Sequence, residues 1–182
     1  GYLEAGTMVD IGGGSTELTS IKGGFDLAKT SIPQGSLSSF ANYVAGLMPT
    51  QKEVNAIAQA FRELAEKEET DVYHCTQLYG IGGSIRSAAK LYGDLCNNGN
   101  RFNYLLPEHI DAILNRYAED PNAFAHEALR TLPDRIHTLI PGCVIIREAF
   151  KLCGGERLDI CKYGVREGYL AERVLVKPVS FA

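Results

Sequence analysis

The sequence has no run of about 18 consecutive apolar residues, the length that a membrane-spanning helix needs. Its first residues also lack the basic and then apolar layout of a secretory signal peptide. Positive charge is not in excess, because 18 Lys and Arg stand against 22 Asp and Glu, which leaves a formal net charge of −4. We therefore expect neither a membrane nor a nucleic acid among the partners of this protein.

Cysteine is scarce and shows no pairing pattern. The five cysteines are odd in number, and none belongs to a C-x-x-C pair of the kind that binds metals or carries redox chemistry. Most have apolar neighbours, among which a free thiol behaves as a small hydrophobic group. We expect reduced, structural thiols and a cytoplasmic location. With 45% apolar and 22% charged residues, the composition is typical of a globular chain, and 182 residues suit one domain.

Hydrophobic patterns predict an α/β domain with a mixed sheet. Extended runs over residues 7–11, 15–21 and 25–32 are separated by glycine-rich turns, which indicates an antiparallel meander. Two further strands are predicted over residues 77–81 and 157–161. Helices are predicted from Leu37, from Thr50 with a capping box to Glu53, from Ser84, from Pro107, from Pro121, over 136–152 with a break at Pro141, and over 166–176. The order of elements favours a sheet flanked by helices.

The segment from Asp10 to Glu17 reads DIGGGSTE and follows the first predicted strand. Glycine allows positive φ angles and has no Cβ to block a ligand, so successive main-chain N–H groups can converge on an anion. The three glycines are Gly12, Gly13 and Gly14. Ser15 and Thr16 add hydroxyl donors, and the two carboxylates suit Mg²⁺. A glycine-rich hairpin turn without a ligand is the alternative, but the flanking residues favour a phosphate site.

Two common nucleotide-binding motifs do not fit this segment. A Rossmann loop needs G-x-G-x-x-G at the start of a helix, and a P-loop needs Gly-Lys-Ser/Thr. The residues after Glu17 are not helix-like, and the segment contains no lysine. The sequence therefore predicts a phosphate loop of another class.

A second glycine turn, GIGGSIR over residues 80–86, ends a strand and opens a helix. Helix N-termini favour anions through their free N–H groups and the helix dipole. Close packing of a helix on a strand also requires glycine, so the turn alone leaves a structural role open. Together the two turns predict one phosphate site to which Gly82, Gly83 and Ser84 contribute. Arg86 and Arg135 are candidate bidentate phosphate donors, with surface ion pairs as the alternative.

The segment from Asp10 to Glu17 resembles the phosphate loop of the exopolyphosphatase/guanosine pentaphosphate phosphohydrolase (Ppx/GppA) family. Other motifs follow in the order of that family: Gly35-Ser36, Gly82-Gly83-Ser84-x-Arg86, Asp134-Arg135 before Pro141-Gly142, and Tyr163-Gly-Val-Arg166-Glu-Gly168. Ser84 departs from the threonine that is usual at its position, but it keeps a hydroxyl. The resemblance covers nearly the whole chain.

The resemblance implies an RNase H-like domain of the actin-like ATPase superfamily, in which two such domains enclose a cleft. Residues 1–182 are then expected to form a single domain, the second half of a two-domain phosphatase core. The resemblance implies that Glu17 sits near the metal or the attacked phosphorus. We therefore predict that Glu17 is catalytic and that Asp10 and Glu17 hold Mg²⁺. The phosphate-binding residues that the resemblance implies, together with the two candidate arginines, are Gly12, Gly13, Gly14, Ser15, Thr16, Gly82, Gly83, Ser84, Arg86 and Arg135.

The function implied for the full-length parent is release of terminal phosphate from inorganic polyphosphate or guanosine pentaphosphate, by an enzyme that is a homodimer. The general base of the family lies in the first domain, so we expect residues 1–182 alone to be inactive. A non-catalytic module that senses guanosine tetra- or pentaphosphate is the alternative. Half of a sugar kinase or actin-like ATPase is a third reading, disfavoured by the Ser-Thr-Glu continuation of the loop. The choice between the two substrates stays open at this point.

Overall fold

The computed structural model describes residues 5–161, in which six strands form one sheet of order β3-β2-β1-β4-β6-β5. The strands are β1 Ala5–Ile11, β2 Thr16–Lys22, β3 Phe25–Ile32, β4 Gln77–Ile81, β5 Tyr104–Leu105 and β6 Arg157–Ile160. Strands β1, β2 and β3 are antiparallel, whereas β4 runs parallel to β1 and to β6. The predicted mixed sheet with an antiparallel meander is confirmed. The short strand β5, antiparallel to β6, was not predicted.

Six α-helices accompany the sheet in the described part of the chain. They are α1 Ser36–Tyr43, α2 Gln51–Ala65, α3 Gly83–Cys96, α4 Pro107–Glu119, α5 Pro121–Thr131 and α6 Ile136–Cys153. The predicted capping box of α2 is present, because the Glu53 N–H donates to the Thr50 hydroxyl at 3.3 Å and the Thr50 N–H donates to the Glu53 carboxylate at 2.6 Å. The helix predicted over 166–176 and the motif over 163–168 lie outside the described residues.

Two helix predictions require correction. Helix α3 begins at Gly83 with Gly82 as its N-cap, so Ser84 is already inside the helix and does not cap it. Helix α6 runs through Pro141 without a break. Its residues from Thr138 to Ile146 are all buried, and this packing outweighs the hydrogen bond that proline removes.

The packing of α6 brings the starts of two other helices together. A Cβ on Gly142 would lie 3.3 Å from the Cβ of Ser84 and 3.7 Å from the Cβ of Ser36. Glycine at this position therefore lets the first turns of α1 and α3 pack against the same side of α6. Both helices begin beside the carboxyl ends of β1 and β4, where the glycine turns lie. In residues 5–161, no helix is both long and apolar enough to cross a membrane.

Candidate phosphate-binding site

The carbonyl groups of the first glycine turn bind the start of α1. The Gly12 carbonyl accepts from the Ser36 N–H at 3.0 Å, and the Gly13 carbonyl accepts from the Leu37 and Ser38 N–H groups at 2.9 and 2.8 Å. The Gly14 carbonyl accepts from the Ser38 hydroxyl at 3.2 Å. These bonds satisfy N–H groups that a helix start leaves without partners. The N-terminus of α1 is therefore capped by the turn itself.

The orientation of these carbonyls fixes the direction of three consecutive amides. In a planar trans peptide the N–H points opposite to the carbonyl of the preceding residue. The N–H groups of Gly13, Gly14 and Ser15 therefore point away from α1. Within residues 5–161 none of the three has a hydrogen-bond partner. These three adjacent amides are therefore available to a ligand in the described part of the chain.

The glycines of this turn serve the site in a different way from the one predicted. None of Gly12, Gly13 and Gly14 has a positive φ angle. A Cβ on Gly14 would meet no atom within 4 Å, so the absence of side chains keeps the amides open. The Gly12 N–H is already used, because it donates to the Ser15 carbonyl at 3.0 Å. The strict requirement for glycine lies at Gly35, where a Cβ would be 2.6 Å from the Gly12 carbonyl oxygen.

The two hydroxyls of the motif are engaged within the protein. Thr16 is fully buried and its hydroxyl donates to the Gln34 carbonyl at 2.7 Å. The sequence predicted that the Thr16 hydroxyl binds phosphate. In the structure this hydroxyl belongs to the core instead. The Ser15 hydroxyl donates to the carboxylate of Glu17, which also accepts from the Ser31 hydroxyl at 3.2 Å. Ser15 thus offers its main-chain amide to a ligand, and its hydroxyl positions Glu17.

The second glycine turn lies directly against the first strand. Gly82 has a φ of 106°, and a Cβ there would be 2.7 Å from the Ile11 carbonyl oxygen and 3.1 Å from Oδ1 of Asp10. Only glycine combines this backbone angle with so close an approach. The Ser84 hydroxyl donates to that of Ser36 at 3.1 Å. The two glycine turns therefore meet, as the sequence predicted from their separate positions.

One pocket of about 510 Å³ joins the predicted residues. It is lined by Asp10, Gly12 and Gly13 from the first turn, by Gly82, Gly83 and Ser84 from the second, and by Asp134 and Arg135. His137 and Thr138 of α6 and Ser36 also line it and were not identified from the sequence. Ser36 did have a signal, since Gly35-Ser36 is one of the motifs shared with the family, whereas both α6 residues were indicated only by their position after Arg135.

Five predicted residues do not line this pocket: Gly14, Ser15, Thr16, Glu17 and Arg86. Glu17 lines a separate recess with Met8 and Lys29, and Asp10 is shared between the recess and the pocket. Arg86 lines a different pocket, beside α3. Strand alternation explains the position of Glu17, because neighbouring residues of β2 point to opposite faces of the sheet.

Asp10 and Glu17 form a carboxylate pair across β1 and β2, where they occupy opposite positions in the antiparallel register. Burial raises the pKa of Asp10 and the charge of Glu17 raises it further, while Arg86 opposes the change. A divalent cation between the two carboxylates would relieve this repulsion. Among the described residues no group of three or more His, Cys, Asp or Glu could hold a metal. Two carboxylates suit Mg²⁺, which is commonly held by one or two carboxylates together with substrate phosphates and water.

The six-stranded mixed sheet flanked by helices gives the described residues an RNase H-like fold. Solved structures share this fold. A Ppx/GppA enzyme of Aquifex aeolicus is 22% identical with a TM-score of 0.76, over 92% of this chain and 57% of that one. A second structure of an Aquifex aeolicus family member is 25% identical with a TM-score of 0.75, over 95% and 57%. An exopolyphosphatase of Cytophaga hutchinsonii is 17% identical with a TM-score of 0.74, over 92% and 56%.

The model of the Ppx/GppA phosphatase family matches residues 3–177. The chain belongs to the Ppx/GppA phosphatase family. It spans a little over half the length of the solved structures that it resembles, between 56 and 57% for the three described above. No curated protein matches it. Membership of this family supports a phosphatase-type hydrolase function.

Proposed function

We propose that this chain is the phosphate-binding domain of a phosphoanhydride hydrolase that releases terminal phosphate from inorganic polyphosphate or guanosine pentaphosphate. The main support for the proposal is the set of three free amides at Gly13, Gly14 and Ser15. Their direction is fixed because the carbonyl groups of the turn accept hydrogen bonds from the start of α1. Family membership and the relative described as an exopolyphosphatase support the same reaction class. Residues 1–182 act as one domain of a two-domain core in this proposal.

The proposed roles follow from charge and position. The amides of Gly13, Gly14 and Ser15 and the guanidinium of Arg135 stabilise negative charge on the transferred phosphoryl group, and this stabilisation dominates catalysis of phosphoryl transfer. Asp10 and Glu17 would hold Mg²⁺, which when bound neutralises charge on the phosphate oxygens. Glu17 acts from the neighbouring recess, where the Ser15 and Ser31 hydroxyls fix its carboxylate.

The proposed general base lies in the part of the relatives that this chain does not span. Water attacks the terminal phosphorus in line and the base takes its proton, while the bond from that phosphorus to the bridging oxygen breaks. Inorganic phosphate is released and the shortened chain leaves with the bridging oxygen. We therefore propose that residues 1–182 bind phosphate but do not release it. The complete enzyme acts as a homodimer in the cytoplasm in this proposal, and the five free cysteines suit a reducing compartment.

A second candidate function is a non-catalytic module that senses guanosine tetra- or pentaphosphate. One observation favours it: Glu17 does not line the pocket that holds both glycine turns. The full-length parent separates the two functions. If the parent hydrolyses polyphosphate or guanosine pentaphosphate, a Glu17→Gln variant should lose turnover and keep binding, whereas Glu119→Gln on α4 should lose neither. A parent that binds both ligands without releasing phosphate supports sensing.

Phosphate binding itself is tested on the 182-residue chain by titration calorimetry with inorganic tripolyphosphate and Mg²⁺. We expect binding, and we expect Arg135→Ala to weaken it by about tenfold or more, because a charge-assisted contact is lost. Arg130→Ala removes an exposed arginine outside the pocket and is the matched control. A native chain that does not bind tripolyphosphate contradicts the proposed function.

A further inference from the structure

Two buried hydroxyl groups lie between the glycine turns, and the roles proposed above use neither of them. Ser36 is the first residue of α1, and Ser84 is the second residue of α3. The two residues are 3% and 9% exposed, so their hydroxyls are largely shielded from water. Both residues line the pocket in which the two turns meet. Their hydroxyls are therefore placed to connect the turns.

The two hydroxyls and the Gly12 carbonyl form a series of hydrogen bonds, which we call the hydroxyl relay. The Ser36 hydroxyl donates to the Gly12 carbonyl at 3.3 Å, and the Ser84 hydroxyl donates to the Ser36 oxygen at 3.1 Å. A carbonyl group only accepts hydrogen bonds, so the single hydroxyl proton of Ser36 is committed to Gly12. Ser84 must then be the donor to Ser36. The hydroxyl relay therefore runs in one direction, from the second turn to the first.

Two glycines make room for the hydroxyl relay. A Cβ on Gly35 would lie 2.6 Å from the Gly12 carbonyl oxygen, so glycine at this position lets the start of α1 approach the turn. A Cβ on Gly142 would lie 3.5 Å from Oγ of Ser84 and 3.7 Å from Cβ of Ser36. Gly142 thus leaves free the space in which the two serines meet. The packing of α1 and α3 against α6 holds both hydroxyls in position.

The hydroxyl relay ends on the peptide group that carries the first free amide of the turn. The Gly12 carbonyl and the Gly13 N–H belong to one peptide group. This carbonyl accepts from the N–H of Ser36 at 3.0 Å as well as from its hydroxyl. Hydrogen bonds in series polarise one another, and they are stronger where water is excluded. Electron density drawn towards the Gly12 carbonyl oxygen makes the Gly13 N–H a stronger donor.

We propose that Ser36 is a positioning residue for phosphate binding, which polarises the Gly13 amide and connects Ser84 to it. This inference rests on the proposed function and adds the means by which the second turn acts on the first. Because the Ser84 proton is donated to Ser36, it is not available to a phosphate oxygen. Ser84, predicted from the sequence to bind phosphate, therefore acts through Ser36 on the Gly13 amide.

Titration calorimetry with tripolyphosphate and Mg²⁺, together with ¹⁵N–¹H spectra of the ligand-free 182-residue chain, tests this proposal. Ser36→Ala should move the ¹⁵N signal of Gly13 to lower frequency, because less electron density is drawn from the nitrogen. The same variant should weaken tripolyphosphate binding by about fivefold, the effect of one hydrogen bond. Ser84→Ala should move the Gly13 signal in the same direction and weaken binding by about twofold, because its bond is one step further from the amide.

The double variant distinguishes the hydroxyl relay from two separate contacts. If Ser84 acts through Ser36, adding Ser84→Ala to Ser36→Ala should change neither the Gly13 signal nor the affinity any further. Ser87→Ala is the matched control, because it removes another buried serine of α3 that does not line the pocket. This control should keep the Gly13 signal and the affinity of the native chain.

An unmoved Gly13 signal in Ser36→Ala, or additive losses of affinity in the double variant, would overturn the hydroxyl relay and leave the phosphate site intact. A loss of affinity that comes with a lower melting temperature and no Gly13 shift would also overturn it, since Ser36 would then be purely structural. If Ser36→Ala does not fold, an unmoved Gly13 signal in Ser84→Ala overturns it equally. Shifted Gly13 signals in a native chain that does not bind tripolyphosphate would overturn the proposed function instead.

Discussion

The guanidinium group of Arg135 lies over Gly83, so close that a Cβ on Gly83 would sit 2.6 Å from Nη2 of the arginine. The contact joins the turn before α6 to the first turn of α3. It holds a cation at the pocket in which the two glycine turns meet. The residue at position 83 therefore controls where the charge of Arg135 is placed.

Gly83→Ala should displace this guanidinium and weaken tripolyphosphate binding by several-fold. The fold should tolerate the change, because the displaced group is the end of a flexible side chain. Calorimetry and thermal unfolding measure the two effects separately. Gly46→Ala, where a Cβ would lie 3.7 Å from its nearest neighbour, should change neither. Unchanged affinity in Gly83→Ala would contradict the role of Arg135.

The environment of Asp10 predicts how the stability of the chain depends on pH and on Mg²⁺. Burial and the charge of Glu17 raise its pKa above the ordinary 3.8, so the folded chain holds this proton more tightly than the unfolded chain. The contribution of Asp10 to stability is present below pH 3.8 and is lost as the pH rises through the raised pKa. Asp10→Asn should therefore raise the melting temperature at neutral pH without Mg²⁺.

We expect Mg²⁺ to raise the melting temperature of the native chain. Asp10→Asn should abolish this rise, because one of the two carboxylates is lost. Melting curves at acid and neutral pH, with and without Mg²⁺, measure both effects. Asp111→Asn is the control and should follow the native chain throughout. Equal stabilisation of Asp10→Asn by Mg²⁺ would remove Asp10 from the metal site.

The sequence predicted the parts of the fold that depend on local patterns. Strand β3 was predicted with its observed bounds, and so was the capping box of Thr50 and Glu53. The two-residue strand β5 could not be predicted, because it exists only through pairing with β6. The passage of α6 through Pro141 likewise depends on packing that the sequence does not display.

For the site, the sequence predicted that the two glycine turns meet. It did not predict which hydroxyls and amides of the turns are free and which are bonded within the protein. Strand alternation could have separated Thr16 from Glu17, since neighbouring residues of a strand face opposite sides. The direction of the Gly13, Gly14 and Ser15 amides could not have been predicted. It depends on the carbonyls of the turn binding α1, a contact between segments that are distant in sequence.

Thr16→Val tests the structural position of Thr16. The variant keeps the side-chain shape and leaves the Gln34 carbonyl without its hydroxyl partner, which should cost about 1–3 kcal/mol of unfolding free energy. Tripolyphosphate affinity of the folded chain should not change. Thr30→Val, whose hydroxyl bonds to exposed Glu68, should cost much less. If Thr16→Val is as stable as the native chain but binds tripolyphosphate more weakly, the Thr16 hydroxyl is part of the phosphate site.

Glu148 is a buried carboxylate, 1% exposed, that accepts from Arg62 at 2.8 Å and from Lys151 at 3.1 Å. Burial acts to raise its pKa, but the hydrogen bonds from these two cations outweigh burial and lower the pKa below 4.5. Its stabilising contribution is present above pH 4.5 and is lost as the pH falls through the lowered pKa.

Glu148→Gln should therefore destabilise the chain at neutral pH, by about 2 kcal/mol, and less in acid. Urea unfolding at both pH values measures the difference. Glu127→Gln breaks an exposed pair with Arg116 and should cost at most about 0.5 kcal/mol at neutral pH. Equal losses for the two variants at neutral pH would contradict the stabilising role of the hydrogen bonds that Arg62 and Lys151 donate to Glu148.

The free amides of the first glycine turn are the centre of this account, and a ¹⁵N–¹H correlation spectrum of the 182-residue chain observes them directly. On addition of tripolyphosphate and Mg²⁺, the amide signals of Gly13, Gly14 and Ser15 should shift, while that of Gly46 should stay in place. Binding that shifts other signals and leaves those three unchanged would contradict the account.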